Sequence, residues 1–448
     1  MSPPANTPER APTRRRYPPV TATLMGINIA VYVLMVVSGV SPIDPSTQHL
    51  LKWGADYGPL SLGAQPWRIF TSNYLHGGII HLALNMWCLW NLGALAERIF
   101  EPWTYALVYT GCGIAGSIAS LWWHPTVVGV GASGAIFGMA GALIAALYLG
   151  KLPVPKRAIQ GTLRSLLTFA AYNLFFGTVA AGIDNSAHVG GLVAGLALGA
   201  VLAKHLMSPP EERNAWRRWV LIGMALVLFT TFGYVKKARG YVTPLQAASD
   251  AFDRGEYDQA ISGLQDVVAR SPNDASAHGL LGASYLQKKE FDNAEVSLKR
   301  ALELRPRDTY AEYWMGVLYE ITDRHEEARK ILADLVEQEP KQGAGLVLLG
   351  YTLEKLNRED EAITMYSRAA AADPKDSDAQ RSWGSALLKS GKVADAILHL
   401  KEAIRLNPKD ADAEEALAKA YAAQGMKQES DAALQKANEL RVSEFSPH

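Results

Sequence analysis

The stretch that decides the fold runs from Glu101 to Lys151, EPWTYALVYTGCGIAGSIASLWWHPTVVGVGASGAIFGMAGALIAALYLGK. Between its ends there is no Asp, Glu, Lys or Arg. A hydrocarbon core of about 30 Å asks for roughly 20 apolar residues per helix, so the run predicts two membrane spans broken at His124-Pro125. Outward from it, the only charge between Arg164 and Lys204 is Asp184, a natural loop between two further spans. Val20–Val40, roughly Ile79–Ile99, and Trp219–Val235 bring the expected number to seven, the last being the shortest. Val20–Val40 is too long for the apolar core of a cleaved leader, and no small-residue cleavage pattern follows it.

The formal charge of zero averages two unlike halves. Residues 1–240 hold 18 Lys and Arg against 8 Asp and Glu, whereas residues 241–448 hold 26 against 36. That asymmetry suggests a membrane-facing half joined to a solvated acidic half, and no nucleic-acid partner is expected. Orientation follows from the Lys/Arg bias of the loops. Placing Arg10 and Arg14–Arg16 in the cytoplasm puts 13 basic residues of the first half inside and 5 outside. Seven spans then leave residues 241–448 outside. Cys88 and Cys112 fall within predicted spans and read as small apolar fillers rather than a disulfide or a metal site.

The second half is periodic. Pro272, Pro306, Pro340, Pro374 and Pro408 are spaced 34 apart, as are Gly282, Gly316, Gly350 and Gly384, and Ala260, Ala294, Ala328, Ala362 and Ala396. Each unit reads as two amphipathic helices that cross at a small residue, with proline where the second must stop. The pattern resembles the tetratricopeptide repeat (TPR) over about six units. The first lacks the glycine (Ala248) and the sixth the proline (Val442), as terminal repeats do. The resemblance implies an α-solenoid whose groove binds protein or peptide segments; a spacer or self-association surface is the plainer reading. The expected fold is therefore all-α, a polytopic helix bundle followed by a TPR solenoid. The expected boundaries are a basic tail at 1–18, the membrane domain at 19–235, a linker at 236–243 and repeats at 244–442.

Polar residues fall on three spans at one depth. His81 and Asn85, four apart on one helix face, begin the second span on the outer side. Ser133 stands one to two turns into the fourth, and His188 heads the sixth. Singly, each has an ordinary explanation: an interhelical hydrogen bond, a small packing residue, a satisfied histidine. Together they suit acyl transfer. A serine hydroxyl needs an imidazole base, and the developing oxyanion needs fixed donors, which His81, Asn85 and the Ser133 N–H can supply. Gly131, Gly134 and Gly138 on one span, and Gly191, Gly195 and Gly199 on the other, allow the close contact that would unite Ser133 with His188. Asp184 is a weak candidate for a third, orienting member. His76 with His81 lacks the third ligand that zinc requires.

In the order Trp67-Arg68, His76, His81-x-x-x-Asn85, Glu97-Arg98, Gly131-Ala132-Ser133-Gly134 and Ala187-His188-x-x-Gly191, residues 60–205 resemble the rhomboid intramembrane serine proteases. The resemblance implies Ser133 as nucleophile, His188 as base, and His81 and Asn85 as oxyanion-hole side chains, a dyad with no acid, metal or other cofactor. It implies Phe137, four residues after the serine, as the aromatic packed on the base. Trp67-Arg68 reads as an anchor or loop brace. The expected function is cleavage of membrane proteins within or beside their spans in a bacterial plasma membrane, the N-terminus cytoplasmic and the repeats outside, recruiting substrate or partner. A catalytically inactive membrane-anchored TPR scaffold is the alternative.

Overall fold

A computed structural model of the chain describes residues 18–179 and 182–444. The tail expected at 1–18 lies, apart from Pro18, outside them. The chain divides into two compact units, Met1–Gln246 and Ala247–His448. Among the described residues there are no strands, only one isolated bridge, and the fold is all-α.

The described residues of the first unit form seven long helices: α1 (Pro19–Val37), α2 (Ile79–Phe100), α3 (Pro102–Trp123), α4 (Ser133–Leu149), α5 (Lys156–Val179), α6 (Asn185–Ala203) and α7 (Pro210–Arg239). Five of them, α1, α2, α3, α6 and α7, are long and apolar enough to cross a bilayer. α4 is shorter, with 17 residues, and α5 carries Lys156, Arg157 and Arg164 in its first half. α4 is nevertheless the centre of the bundle. It is apolar on every side, as a helix enclosed all round must be, and nearly all of it is buried. α5 and α7 instead turn Tyr172, Phe175, Leu226 and Phe229 outward. Apolar surface of that extent is stable against lipid and a liability in water.

Two carboxylates knit one end of this bundle. Glu97 of α2 accepts hydrogen bonds from the Val20 N–H (2.9 Å), the Thr21 N–H (3.0 Å) and the Thr21 hydroxyl (2.9 Å). It thereby satisfies donors that the first turn of α1 leaves unpaired. Glu101 alone connects α2 to α3, with φ 62 in a non-glycine residue, a conformation that costs on the order of 1–3 kcal/mol. Pro102 fixes the first turn of α3. Two arginines of α7 grip this junction: Arg213 lies 2.8 Å from Glu101, and Arg217 pairs with its other oxygen.

α7 was expected only from Trp219 to Val235. It is a single helix of 30 residues, because Arg213 and Arg217 find Glu101 instead of ending the helix. At its other end Val235 packs with Leu62, Ile118 and Leu121, and Lys236 donates to the Gly63 carbonyl (3.3 Å). α7 thus runs the whole length of the bundle. The expected linker, 236–243, is helical at both ends: α7 continues to Arg239 and the next helix starts at Val242.

Twelve helices, Val242–Asp253 to Lys427–Glu444, form six antiparallel pairs. The periodic residues explain the pairing. A side-chain carbon at Gly282, Gly316, Gly350 or Gly384 would meet Leu298, Leu332, Tyr366 or Leu400, sixteen residues on, at 2.5–2.7 Å. The second helices end at Arg270, Leu304, Gln338, Ala372 and Leu406, two residues before each proline. Asp274, Asp308, Asp376 and Asp410 cap the helices that follow, accepting from backbone N–H groups; each cap is worth about 1 kcal/mol.

Candidate active site

Ser133 is the first residue of α4, not one to two turns into it. Gly131 belongs to the connection before the helix, at φ 125, so it is no part of the glycine stripe. A side-chain carbon there would lie 2.8 Å from His81 Cε1, 2.9 Å from His81 Nε2 and 3.8 Å from Ser133 Oγ. The missing side chain therefore opens a small space that the imidazole of α2 and the hydroxyl of α4 share.

α4 and α6 touch backbone to backbone. Side-chain carbons at Gly191, Gly195 and Gly199 would fall 2.0, 1.8 and 2.3 Å from the carbonyl oxygens of Gly134, Gly138 and Ala142. Small residues at intervals of four permit this approach between membrane helices. At the top of the seam, the Ala187 carbonyl lies against Gly134 and Gly116. Phe137, one turn below Ser133 on the same face, stacks on the His188 ring with centroids 4.3 Å apart and planes 9° apart. Phe137 thus joins the heads of the two helices that carry Ser133 and His188.

Neighbours fix the other polar groups. Gly77 N–H donates to His81 Nδ1 (3.3 Å), so the neutral ring carries its proton on Nε2, beside Gly131. That is the tautomer an oxyanion donor requires. Asn85 is buried and its amide donates to the His81 carbonyl one turn back (2.9 Å), leaving one amide proton free. His76 is fully buried with its ring edge against His81, centroids 5.2 Å apart. His188 Nδ1 is buried without a hydrogen-bond partner among the described residues. Asp184, weighed as its orienting acid, is engaged elsewhere: it caps α6, accepting from Ser186 N–H (2.9 Å) and Ala187 N–H (3.2 Å). It aims the helix that bears His188 rather than the ring.

The loop between α1 and α2 supplies a brace that the sequence reading left without named partners. Arg68 is buried and donates to the carbonyls of Leu51 (2.8 Å) and Ala55 (3.0 Å) and to Gln65 (2.7 Å). Asp56 and Gly129 exchange both backbone hydrogen bonds (3.0 and 2.8 Å), and Gly131 N–H donates to Ser72 (2.9 Å). The segment leading into Ser133 is thereby pinned at two points. Asp56 was not singled out, because a polar residue between Gly54 and Pro59 reads as a solvated turn. In fact it is buried, with Oδ1 accepting from Ser61 (2.5 Å) and Oδ2 unpartnered among the described residues.

Burial pushes the Asp56 carboxyl up to about 7, against the opposing pull of the Ser61 hydrogen bond and Arg68. A carboxyl raised in the folded state binds its proton there while the unfolded chain has lost it, so stability falls between about pH 4 and pH 7 and is flat above. Asp56→Asn is expected to remove that fall, leaving the variant more stable at pH 8 by on the order of 4 kcal/mol. Thermal unfolding in detergent at pH 5 and pH 8 checks this; parallel pH slopes for both proteins would refute it.

Comparison with known proteins agrees with this geometry. Residues 63–205 match the Rhomboid domain model, and residues 245–309, 285–347, 321–382 and 384–425 match tetratricopeptide-repeat models. The chain is 33% identical over 211 residues to rhomboid protease AarA of Providencia stuartii, covering 42% of this chain and 74% of that one. It is 31% identical over 309 residues to rhomboid protease GluP of Bacillus subtilis (strain 168), covering 60% of this chain and 58% of that one. To RHOMBOID-like protein 4 of Arabidopsis thaliana it is 36% identical over 161 residues, 36% of this chain and 40% of that one. The chain thus spans less than two thirds of the last two relatives. The TPR protein YrrB is a structural neighbour at 21% identity and TM-score 0.35, covering 40% of this chain and 92% of that one. The chain belongs to the rhomboid family, of which AarA and GluP are named as proteases, and is a multi-pass membrane protein with a TPR region.

Proposed function

We propose that the protein is an intramembrane serine endopeptidase that cleaves other membrane proteins within or beside their spans. The observation that carries this reading is the seam of α4 and α6, which seats Phe137 flat on His188 one turn from Ser133. In the proposed cycle His188 takes the Ser133 proton as Oγ attacks the scissile carbonyl, then gives it to the departing amine. Water, activated by the same imidazole, releases the acyl group. His81 Nε2–H and the free Asn85 amide proton stabilise the oxyanion in both steps. Placement at the heads of α4 and α6 gives water a short path to the acyl-enzyme.

The membrane arrangement we propose has seven spans, with the N-terminus cytoplasmic and the TPR region on the face that bears Ser133. Two contacts of α7 support it: its first turns hold Glu101 at one end of the bundle, and its last turn reaches Gly63 and Leu62 at the other. The repeats then meet the parts of substrates or partners that project from the membrane there. The test uses vesicles holding the full chain and single-span membrane proteins, with product termini mapped by mass spectrometry. New termini within or beside a span, formed without metal or nucleotide, are expected; substrates left intact across a broad set would end the reading. A compartment-sensitive reporter fused after His448 is expected to report the outer side, and a cytoplasmic signal would end the proposed topology.

A further inference from the structure

At the end of the bundle away from Ser133 a cavity of about 440 Å³ opens between α2, α5 and α7, within the usual size of a ligand pocket. Leu147, on its wall, lies fourteen residues beyond Ser133 along α4, about 21 Å at 1.5 Å per residue. Its walls are aliphatic, Leu147, Ile159 and Leu206 among them, and its charged groups are Arg98, Arg213, Arg217 and Glu101. Glu101 pairs with Arg213 and Arg217. Among the described residues the exposed Arg98 has no carboxylate partner, and the buried Arg213 Nε has no acceptor. Three guanidiniums face one carboxylate, so the cavity is positive at its rim and apolar within. Lys156 and Arg157, exposed at the start of α5, add to that field.

We propose that this cavity holds one anionic glycerophospholipid, its phosphate on Arg98 and Arg213 and an acyl chain along Leu147, Ile159 and Leu206. A soluble anion would satisfy the guanidiniums and leave the aliphatic wall bare; a neutral lipid would do the reverse. Only an amphiphile with a negative head matches both, and basic pockets between spanning helices are suited to such heads. A ligand there would tie α5, which buries little beyond Leu166 and Ala170, to the junction at Glu101. The proposal rests on the membrane reading of α2, α5 and α7 and not on the Ser133–His188 chemistry.

The experiment takes the full chain purified in a neutral detergent and adds phosphatidylglycerol, phosphatidylcholine or inorganic phosphate. It reads bound lipid by native mass spectrometry and stability by thermal unfolding. One phosphatidylglycerol is expected to stay bound and raise the unfolding temperature, with phosphatidylcholine retained roughly tenfold or more weakly. The double variant Arg98→Gln/Arg213→Gln is expected to lose that preference. Ile159→Trp, which fills the cavity and spares the arginines, is expected to lose retention, and it decides the matter alone if the double variant does not fold. Equal retention of phosphatidylcholine, or retention unchanged in the variants, would overturn the proposal. So would a matching rise with inorganic phosphate, which would mark a soluble-anion site. Proteolysis enters none of these readouts, so failure here leaves the proposed cleavage untouched.

Discussion

Replacing Ser133 with alanine is expected to lower kcat by on the order of 10³–10⁶, with the protein still inserted and folded. The Ser133 hydroxyl contributes to no hydrogen bond among the described residues, so its removal leaves the packing of α4 unchanged. His188→Ala is expected to cost a similar factor and also some stability, because it strips the ring from Phe137. The double variant should be no slower than the slower single variant, since the proposed base and nucleophile would act in the same step. His81→Ala is expected to cost about 10²–10³ in kcat, as loss of an oxyanion donor does. Asn85→Ala should cost less, because part of that amide is already committed to the His81 carbonyl. Steady-state cleavage of a reconstituted substrate, with thermal unfolding of every variant, checks the set. Residual turnover in Ser133→Ala near the wild-type rate, or a double variant whose loss is the product of the single losses, would remove the dyad.

Much of the fold could be read directly because its periods are strict. The 34-residue spacing of Pro272 to Pro408 marks where the first five of the six helix pairs stop, since proline stops a helix and glycine marks a crossing whatever surrounds them. The charge-free runs located α1, α2, α3, α6 and α7. Ends were harder. α7 is longer at both ends than its apolar run: at its start Arg213 and Arg217 pair with Glu101, over a hundred positions away, and at its end Lys236 reaches the Gly63 carbonyl. No local pattern announces such a partner.

The site divides in the same way. Ser133, His188, His81 and Asn85 stand out because polar groups on apolar spans are rare, whereas Phe137 is implied only by the resemblance to rhomboid proteases. What could not be read is how the loop holds them. Asp56, Ser72 and Arg68 act through backbone groups of Gly129, Gly131, Leu51 and Ala55, and backbone partners leave no trace in residue identity. Asp184 shows the converse: proximity to His188 in sequence suggested an orienting acid, whereas a helix start claims an aspartate as its cap.

Gly195→Ala is expected to reduce kcat by about 10² although Gly195 lies two turns along α6 from His188. Its added carbon would stand 1.8 Å from the Gly138 oxygen, a separation no packed carbon tolerates. The obstacle is backbone, so no side chain can swing aside, and α4 and α6 must part by an ångström or more. One of these helices carries Ser133 and the other His188, so the displacement falls on the distance across which the proton would move in the proposed cycle. Gly223→Ala in α7 provides the control: nothing lies within 4 Å of its added carbon, and alanine favours the helix. Its kcat should match the wild type. Measured well below both unfolding temperatures, the loss in Gly195→Ala should appear in kcat more than in KM. A Gly195→Ala protein with wild-type kcat would mean that the seam of α4 and α6 does not set the geometry of the reaction.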